Sequence, residues 1–287
     1  MSGVSRRALF TVATSDRLEQ AVRAAPGGEM LAYRYASRYV AGVTADDALV
    51  TAHRLAAQGV LSSIDFFGEN VFDPSEADAV TDEYVALASR IATVAPAGTY
   101  LSLDLSHVAL DERRLARIAG ALQAGARVQV GAEQATRTDR ILDAVLAVAR
   151  GGGAVAATVQ ANLRRSRADA HRLAEAGVPI RLVKGAYVED PSVAIAWGDP
   201  TDIAFAELAH ELHHAGAQLS LATHDPVLRD ALLPALSGVG VEMLLGVRPE
   251  DLPSLVSRGV PVRLYVPFGE GWFRYAMRRA AESRGKR

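Results

Sequence analysis

The sequence predicts an α/β protein, a (β/α)8 barrel preceded by helices. Short β-branched or apolar runs alternate with longer Ala/Leu/Arg-rich stretches whose charges fall at helical spacing. The apolar runs number eight, the strand count of such a barrel. Several of them follow a glycine that ends a helix, as at Gly125, Gly177, Gly216 and Gly259, where only glycine takes the left-handed cap without strain. A doubly wound open sheet has the same alternation, so pattern alone leaves closure open.

In chain order, residues 1–58 read as a helical segment packed on the barrel, and residues 59–287 as the barrel itself. Thr44, with Asp46 and Asp47 after it, is a good start for a helix running to Gln58. Strands are expected at 60–66, 100–105, 127–131, 155–160, 180–184, 218–222, 241–245 and 262–266. Helices are expected at 75–94, 111–124, 136–150, 166–176, 201–215, 226–236 and 248–257. Gly151-Gly152-Gly153 is a joint between a helix and the fourth strand, not a domain linker.

Composition excludes several classes of function. With 49% hydrophobic and 22% charged residues, the 287-residue chain can build a core of enzyme size. A net charge of -2 gives no attraction to nucleic acid. The chain has no cysteine, which rules out disulfides and thiol catalysis and points to a reducing cytoplasm. No apolar run reaches the ~18 residues of a membrane span. Ser5-Arg6-Arg7-Ala8-Leu9-Phe10 has twin arginines, but the apolar stretch behind it stops at Asp16-Arg17, too soon for an export signal.

Active sites of barrels gather at the C-terminal ends of the strands. That rule selects Asp65 and Glu69, Asp104, Gly131 and Glu133, Gln160 and Asn162, Arg181 and Lys184, Thr223 and His224, and Tyr265. The set is polar although apolar strands feed it, as a ligand-holding mouth requires. Arg181-Leu182-Val183-Lys184-Gly185-Ala186-Tyr187 is the most telling piece, a strand ending in cations and a glycine. Buried cations need an anionic partner. On their own, Arg181 pairing with Glu133 or Glu189, Lys184 reaching toward solvent, and His224 opening a helix at Asp225-Pro226 would account for these residues. Downstream, Arg263-Leu264-Tyr265-Val266-Pro267-Phe268-Gly269 leads into Trp272, Phe273, Tyr275, Met277, Arg278, Arg279 and Glu282. This is a helix too apolar to stand in solvent; its two arginines read as a carboxylate clamp or as solvated cations near a helix end.

These segments, in this order, resemble the proline dehydrogenase family of flavoenzymes. The resemblance also rests on Phe66-Phe67-Gly68-Glu69, Gln160-Ala161-Asn162-Leu163-Arg164-Arg165 and Ala222-Thr223-His224-Asp225, and runs from Val40 to Glu282. It implies that the terminal helix lies over the barrel mouth and that FAD lies over the strand ends. Gln160, Arg181, Lys184, Gly185, Ala186, Thr223 and His224 would contact the cofactor. Arg278 and Arg279 would hold a substrate carboxylate, and Tyr265 would cover the substrate. The implied reaction is hydride transfer from the carbon beside a substrate nitrogen to flavin, with a membrane quinone as electron acceptor and peripheral membrane contact; no protein metal is implied.

The pocket departs from the family. Its usual lysine on the second strand is Asp104 here, its aspartate on the third strand is Gly131, and an aromatic near the end of the fourth is Asn162. The reversed charge at 104 and the lost volume at 131 and 162 suggest an amino acid with an additional amine, hydrazine or polar group; proline itself is the alternative. With these changes Arg181, Tyr265 and Asp104 are the candidate catalytic residues. Two other classes compete. His210-Glu211-Leu212-His213-His214 fits the H-E-x-x-H zinc-protease pattern, without a convincing third ligand. A non-catalytic interaction barrel would also tolerate altered pocket residues. His53, His107 and His171 read as surface or packing residues.

Overall fold

Strands that alternate polar and apolar positions sort the two sets onto opposite faces once they pair in parallel. In this computed structural model, which describes residues 16–284 and the side chains of residues 19–279, eight strands do so. They are β1 (Leu61–Phe66), β2 (Tyr100–Leu103), β3 (Val128–Val130), β4 (Val155–Gln160), β5 (Ile180–Val183), β6 (Leu219–Ala222), β7 (Gly240–Leu244) and β8 (Val262–Phe268). Each pairs with its neighbour in sequence, and β8 returns to β1 with Ser63 opposite Tyr265. That last pairing closes the barrel and removes the open-sheet alternative.

The register fixes which side chains face the axis. Asp65 lies opposite Ser102, Ser102 opposite Gln129, Thr158 opposite Arg181, and Glu242 opposite Arg263. The intervening positions, among them Ile64, Leu101, Leu103, Val130, Leu182, Leu221, Val241 and Leu264, are buried against the helices in the main core. The barrel interior is therefore polar, while the apolar core is the layer between strands and helices.

Among the described residues the helices up to the sixth strand are α1 (Asp16–Ala24), α2 (Gly28–Ala36), α3 (Ala45–Ala56), α4 (Pro74–Val94), α5 (Glu112–Gly120), α6 (Thr138–Arg150), α7 (Ser166–Glu175) and α8 (Asp199–His214). Beyond them lie α9 (Pro226–Leu232), α10 (Leu252–Ser257) and α11 (Trp272–Arg284). Thr44 caps α3 in a reciprocal capping box with Asp47, as the sequence suggests. The helix expected at 248–257 is split into a 3-10 turn (Pro249–Asp251) and α10. Pro253 is the reason, since proline is tolerated only in the first turn of a helix.

The N-terminal end of the barrel is floored by cations stacked on a ring. Arg263 lies 3.4 Å over Tyr100 and Arg127 lies 4.4 Å from the same centroid. Arg263 Nη1 donates to the carbonyls of Ser62 at 2.7 Å and Gly98 at 2.6 Å, and burial pulls its pKa down to about 10. At the other end, α11 packs on the N-terminal helices through Ala36, Tyr39, Val40, Trp272, Phe273, Tyr275 and Ala276. The backbone joins the same seam, Ala41 N–H donating to Pro267 O at 2.9 Å and Gly269 N–H to Gly42 O at 3.1 Å. No helix among the described residues is long and apolar enough to cross a membrane. The twin-arginine segment at residues 5–10 lies outside the described residues.

Candidate active site

Arg181 sits on β5 facing the axis, and its partner lies across the barrel on β7. Its Nε donates to Glu242 Oε2 at 2.7 Å, and its Nη2 stands 2.6 Å from that oxygen and 3.4 Å from Ser63 Oγ. Ser220 Oγ donates to Glu242 Oε1 at 2.6 Å. Burial works to raise the Glu242 pKa, but the Arg181 charge and these hydrogen bonds hold it below the usual carboxylate range. The alternative in which Arg181 pairs with Glu133 or Glu189 is therefore not the one the fold adopts. Glu133 accepts the Ser106 N–H at 2.9 Å and pairs with Arg137 at 2.5 Å, and Glu189 accepts the Ala135 N–H at 2.8 Å. Those carboxylates lie in loops and brace them, whereas Arg181 follows the inward face of its strand.

Lys184 does not reach into solvent. Its ammonium bridges Asp202 at 2.6 Å and Asp225 at 2.8 Å. Gly185 has φ +113°, a conformation L side chains avoid, and a Cβ there would overlap the Asn162 amide. Asn162 Oδ1 is buried and has no hydrogen-bond partner. The loop after β5 is pinned to this region, Ile195 N–H donating to Asn162 O at 2.8 Å. Gln160 is buried and spends its amide N–H on Glu133 O at 2.9 Å, which leaves its oxygen as the end able to accept. His224 Nε2 accepts the Leu244 N–H at 2.8 Å, so its neutral tautomer carries the proton on Nδ1. Asp225 caps α9, so His224 sits just outside that helix. Thr223 is buried and Ala186 exposed.

Across the mouth, Asp104 stands one residue past β2. A Cβ at Gly131 would overlap the Asp104 carboxylate, so the two positions are coupled: the glycine makes room for the acid. Burial, with repulsion from Glu133 and Glu69, raises the Asp104 pKa to about 7 against the opposing pull of Arg278 and Arg181. Asp65 is raised well above the ordinary value, first by burial and then by Asp104; Ser102 and Tyr265 hydrogen-bond to it. Tyr187 is also pushed up by burial beside Asp104, Glu69 and Glu133. Glu69 itself is exposed at the rim, and no arginine pairs with it among the described residues. From above, Tyr275 of α11 comes within 6.1 Å of the Tyr265 ring and 5.1 Å of Phe67. Arg279 lies 5.1 Å over the Tyr275 ring, and Arg278 Nε is buried without a hydrogen-bond partner. The side chain of Glu282 lies outside the described residues.

In the H-E-x-x-H segment the glutamate is already committed to neighbouring side chains. Glu211 is paired with Arg167 and stands 3.5 Å from His171, which accounts for that histidine. No group of three His, Asp or Glu residues among the described residues could hold a metal ion. His53 bonds Val94 O at 2.8 Å. His107 is buried, bonded to Tyr84 at 3.0 Å and covered by Gly68, and burial lowers its pKa to about 4, so it packs as a neutral ring.

The sequence alone points to Asp104, Gly131, Gln160, Arg181, Lys184, Thr223, His224, Tyr265, Arg278 and Arg279 around one mouth. It missed Ser63 and the role of Glu242. The signal was partial: Ser63 shares the inward face of β1 with Asp65, and Glu242 is the one charged residue in the apolar run of β7.

Residues 48–287 match the family described as proline dehydrogenase. Among its relatives, proline dehydrogenase 1 of Bacillus subtilis (strain 168) is 31% identical over 86% of this chain and 86% of its own length. The proline dehydrogenase of Deinococcus radiodurans is 29% identical over 97% of this chain and 94% of its own. Among solved structures, proline utilization A (PutA) from Bdellovibrio bacteriovorus, inactivated by N-propargylglycine, superposes with a TM-score of 0.79 at 19% identity and shares the fold. That match covers 96% of this chain and 36% of the longer PutA chain.

Proposed function

The chain belongs to the proline dehydrogenase family, oxidoreductases acting on the CH–NH group of proline, and on that premise we propose that it is an FAD-dependent dehydrogenase oxidising the C–N bond of proline or a proline-like amino acid. The observation that carries this reading is the placement of α11 over the polar strand ends, with Arg278 close enough to lower the Asp104 pKa. The residues present fit the cofactor. Asn162 Oδ1 is an orphaned buried acceptor, Gly185 adopts a backbone reserved for glycine, and the Lys184 ammonium has a third N–H beyond its two carboxylates. We assign Gln160, Arg181, Lys184, Gly185, Ala186, Thr223 and His224 to its binding. The chemistry that the flavin supplies when bound is acceptance of a hydride from the carbon beside the substrate nitrogen, leaving an imine.

The protein's own work is orientation and exclusion. Arg278 and Arg279 hold the substrate carboxylate, while Tyr265 and Tyr275 wall the site against water. Purified protein reconstituted with FAD is expected to be yellow and to reduce a dye with L-proline. Protein that takes up no flavin would end the assignment. On family grounds the proposal also includes a quinone acceptor and a cytoplasmic protein with peripheral contact at the inner membrane face.

Asp104 leaning over Gly131 supports a finer reading, in which the substrate carries an additional amine, hydrazine or polar group for that carboxylate. On this reading, linear, N-substituted or hydrazine-bearing amino acids outcompete L-proline in the dye assay; a clear preference for proline removes it. The pH dependence separates the two further. Because the Asp104 pKa is about 7, kcat/KM for a substrate with a second cationic nitrogen should rise through neutral pH, and Asp104→Asn should flatten that limb. Stability runs the other way. A carboxyl whose pKa is raised on folding binds more protons folded than unfolded, so the fold loses stability as pH climbs from the ordinary carboxylate range past about 7. Asp104→Asn should therefore melt above the parent at pH 8, with the gap closing near pH 4.

A further inference from the structure

Glu242 is a fully formed polar site with no counterpart among the residues assigned above. It is 7% exposed, lies on β7 beneath the mouth, accepts from Arg181 and Ser220, and has Arg263 on its far side. An ion pair buried this deeply costs desolvation, which close geometry and added hydrogen bonds must offset. Here both conditions are met, and the geometry is directional. With Nε and Nη2 of Arg181 committed to Glu242 and Ser63, the described contacts leave Nη1 as the guanidinium nitrogen with no partner.

We propose that Glu242 is the positioning residue and counter-charge for Arg181, fixing which guanidinium edge meets the cofactor and how much positive potential the ring feels. The inference rests on the flavin reading above. A guanidinium alone would favour the electron-rich, reduced ring strongly. The paired carboxylate cancels much of that field, and so keeps the bound flavin able to pass its electrons on. Ser220 and Ser63 hold the two partners in register from β6 and β1.

The test is the midpoint potential of FAD-loaded protein, read spectroscopically against reference dyes. Glu242→Gln keeps the shape and removes the charge. It should shift the potential upward, raising the reduced-to-oxidised ratio at a fixed dye potential by about tenfold. Glu242→Asp restores the charge and should bring the ratio back to within about twofold of the parent. If Glu242→Gln does not accumulate as folded protein, Glu242→Asp carries the test alone: a ratio near the parent's supports the proposal, and a tenfold rise overturns it. A potential unchanged in Glu242→Gln also overturns it. Failure of the underlying flavin reading is distinguishable, because the parent protein itself would then be colourless.

Discussion

Replacing Arg278 by alanine is expected to lower kcat/KM for the amino-acid substrate by roughly 10²–10⁴-fold while leaving the flavin spectrum intact. A charge-assisted hydrogen bond contributes about 1.5–3 kcal/mol, and a forked guanidinium–carboxylate contact makes two of them. The residue is placed for this. It lies on α11 above the strand ends, half-buried, with Nε facing no protein acceptor. It also balances an acidic neighbourhood, because Asp104 and Tyr187 both feel its charge. Arg278→Lys, which keeps the charge and loses the fork, should fall between the two. Steady-state kinetics on the pair check the assignment; an alanine variant with unaltered kcat/KM would move the carboxylate clamp elsewhere.

The second large effect concerns the fold. Gly246→Ala should cost about 3 kcal/mol or more and lower the melting temperature by roughly 5–10 °C. Gly246 follows β7 at φ +74°, where a non-glycine residue is strained. A Cβ there would also overlap the carbonyl of Arg38 and crowd the Tyr39 ring. The obstacle is backbone, which cannot rotate away as a side-chain tip can. Tyr39 belongs to the cluster that seats α11, so the variant should lose substrate affinity as well as stability. Thermal melts and KM measured on one preparation would check both. An unchanged melting temperature would mean that the α2 end yields easily.

Much of this arrangement was legible in the residues. The periodicity placed all eight strands, the fourth to the residue, because apolar runs bounded by glycine and charge leave little freedom of register. The shortened helices at 112–120 and 226–232 were harder to foresee, since alanine and leucine continue the helical pattern after the chain has turned away. The strand-end rule found Asp104, Arg181 and Lys184, but nothing local tells an arginine which carboxylate it will meet. Glu133 and Glu189 were nearer in sequence, whereas Glu242, 61 positions on, was nearer in space. Asp65 illustrates the same limit. Its raised pKa comes from burial and from Asp104 just past the end of the next strand, and both are products of closure.

The seam between residues 41–42 and 267–269 has a bearing on biogenesis. A nascent chain halted before Trp272 could contain all eight strands and still lack Arg278 and Arg279, the proposed clamp. Capture of the small molecules would then wait until translation has passed Arg279. Trimming back to the strand-and-helix repeat, a common tactic when barrels are minimised, would remove the grip along with the ends.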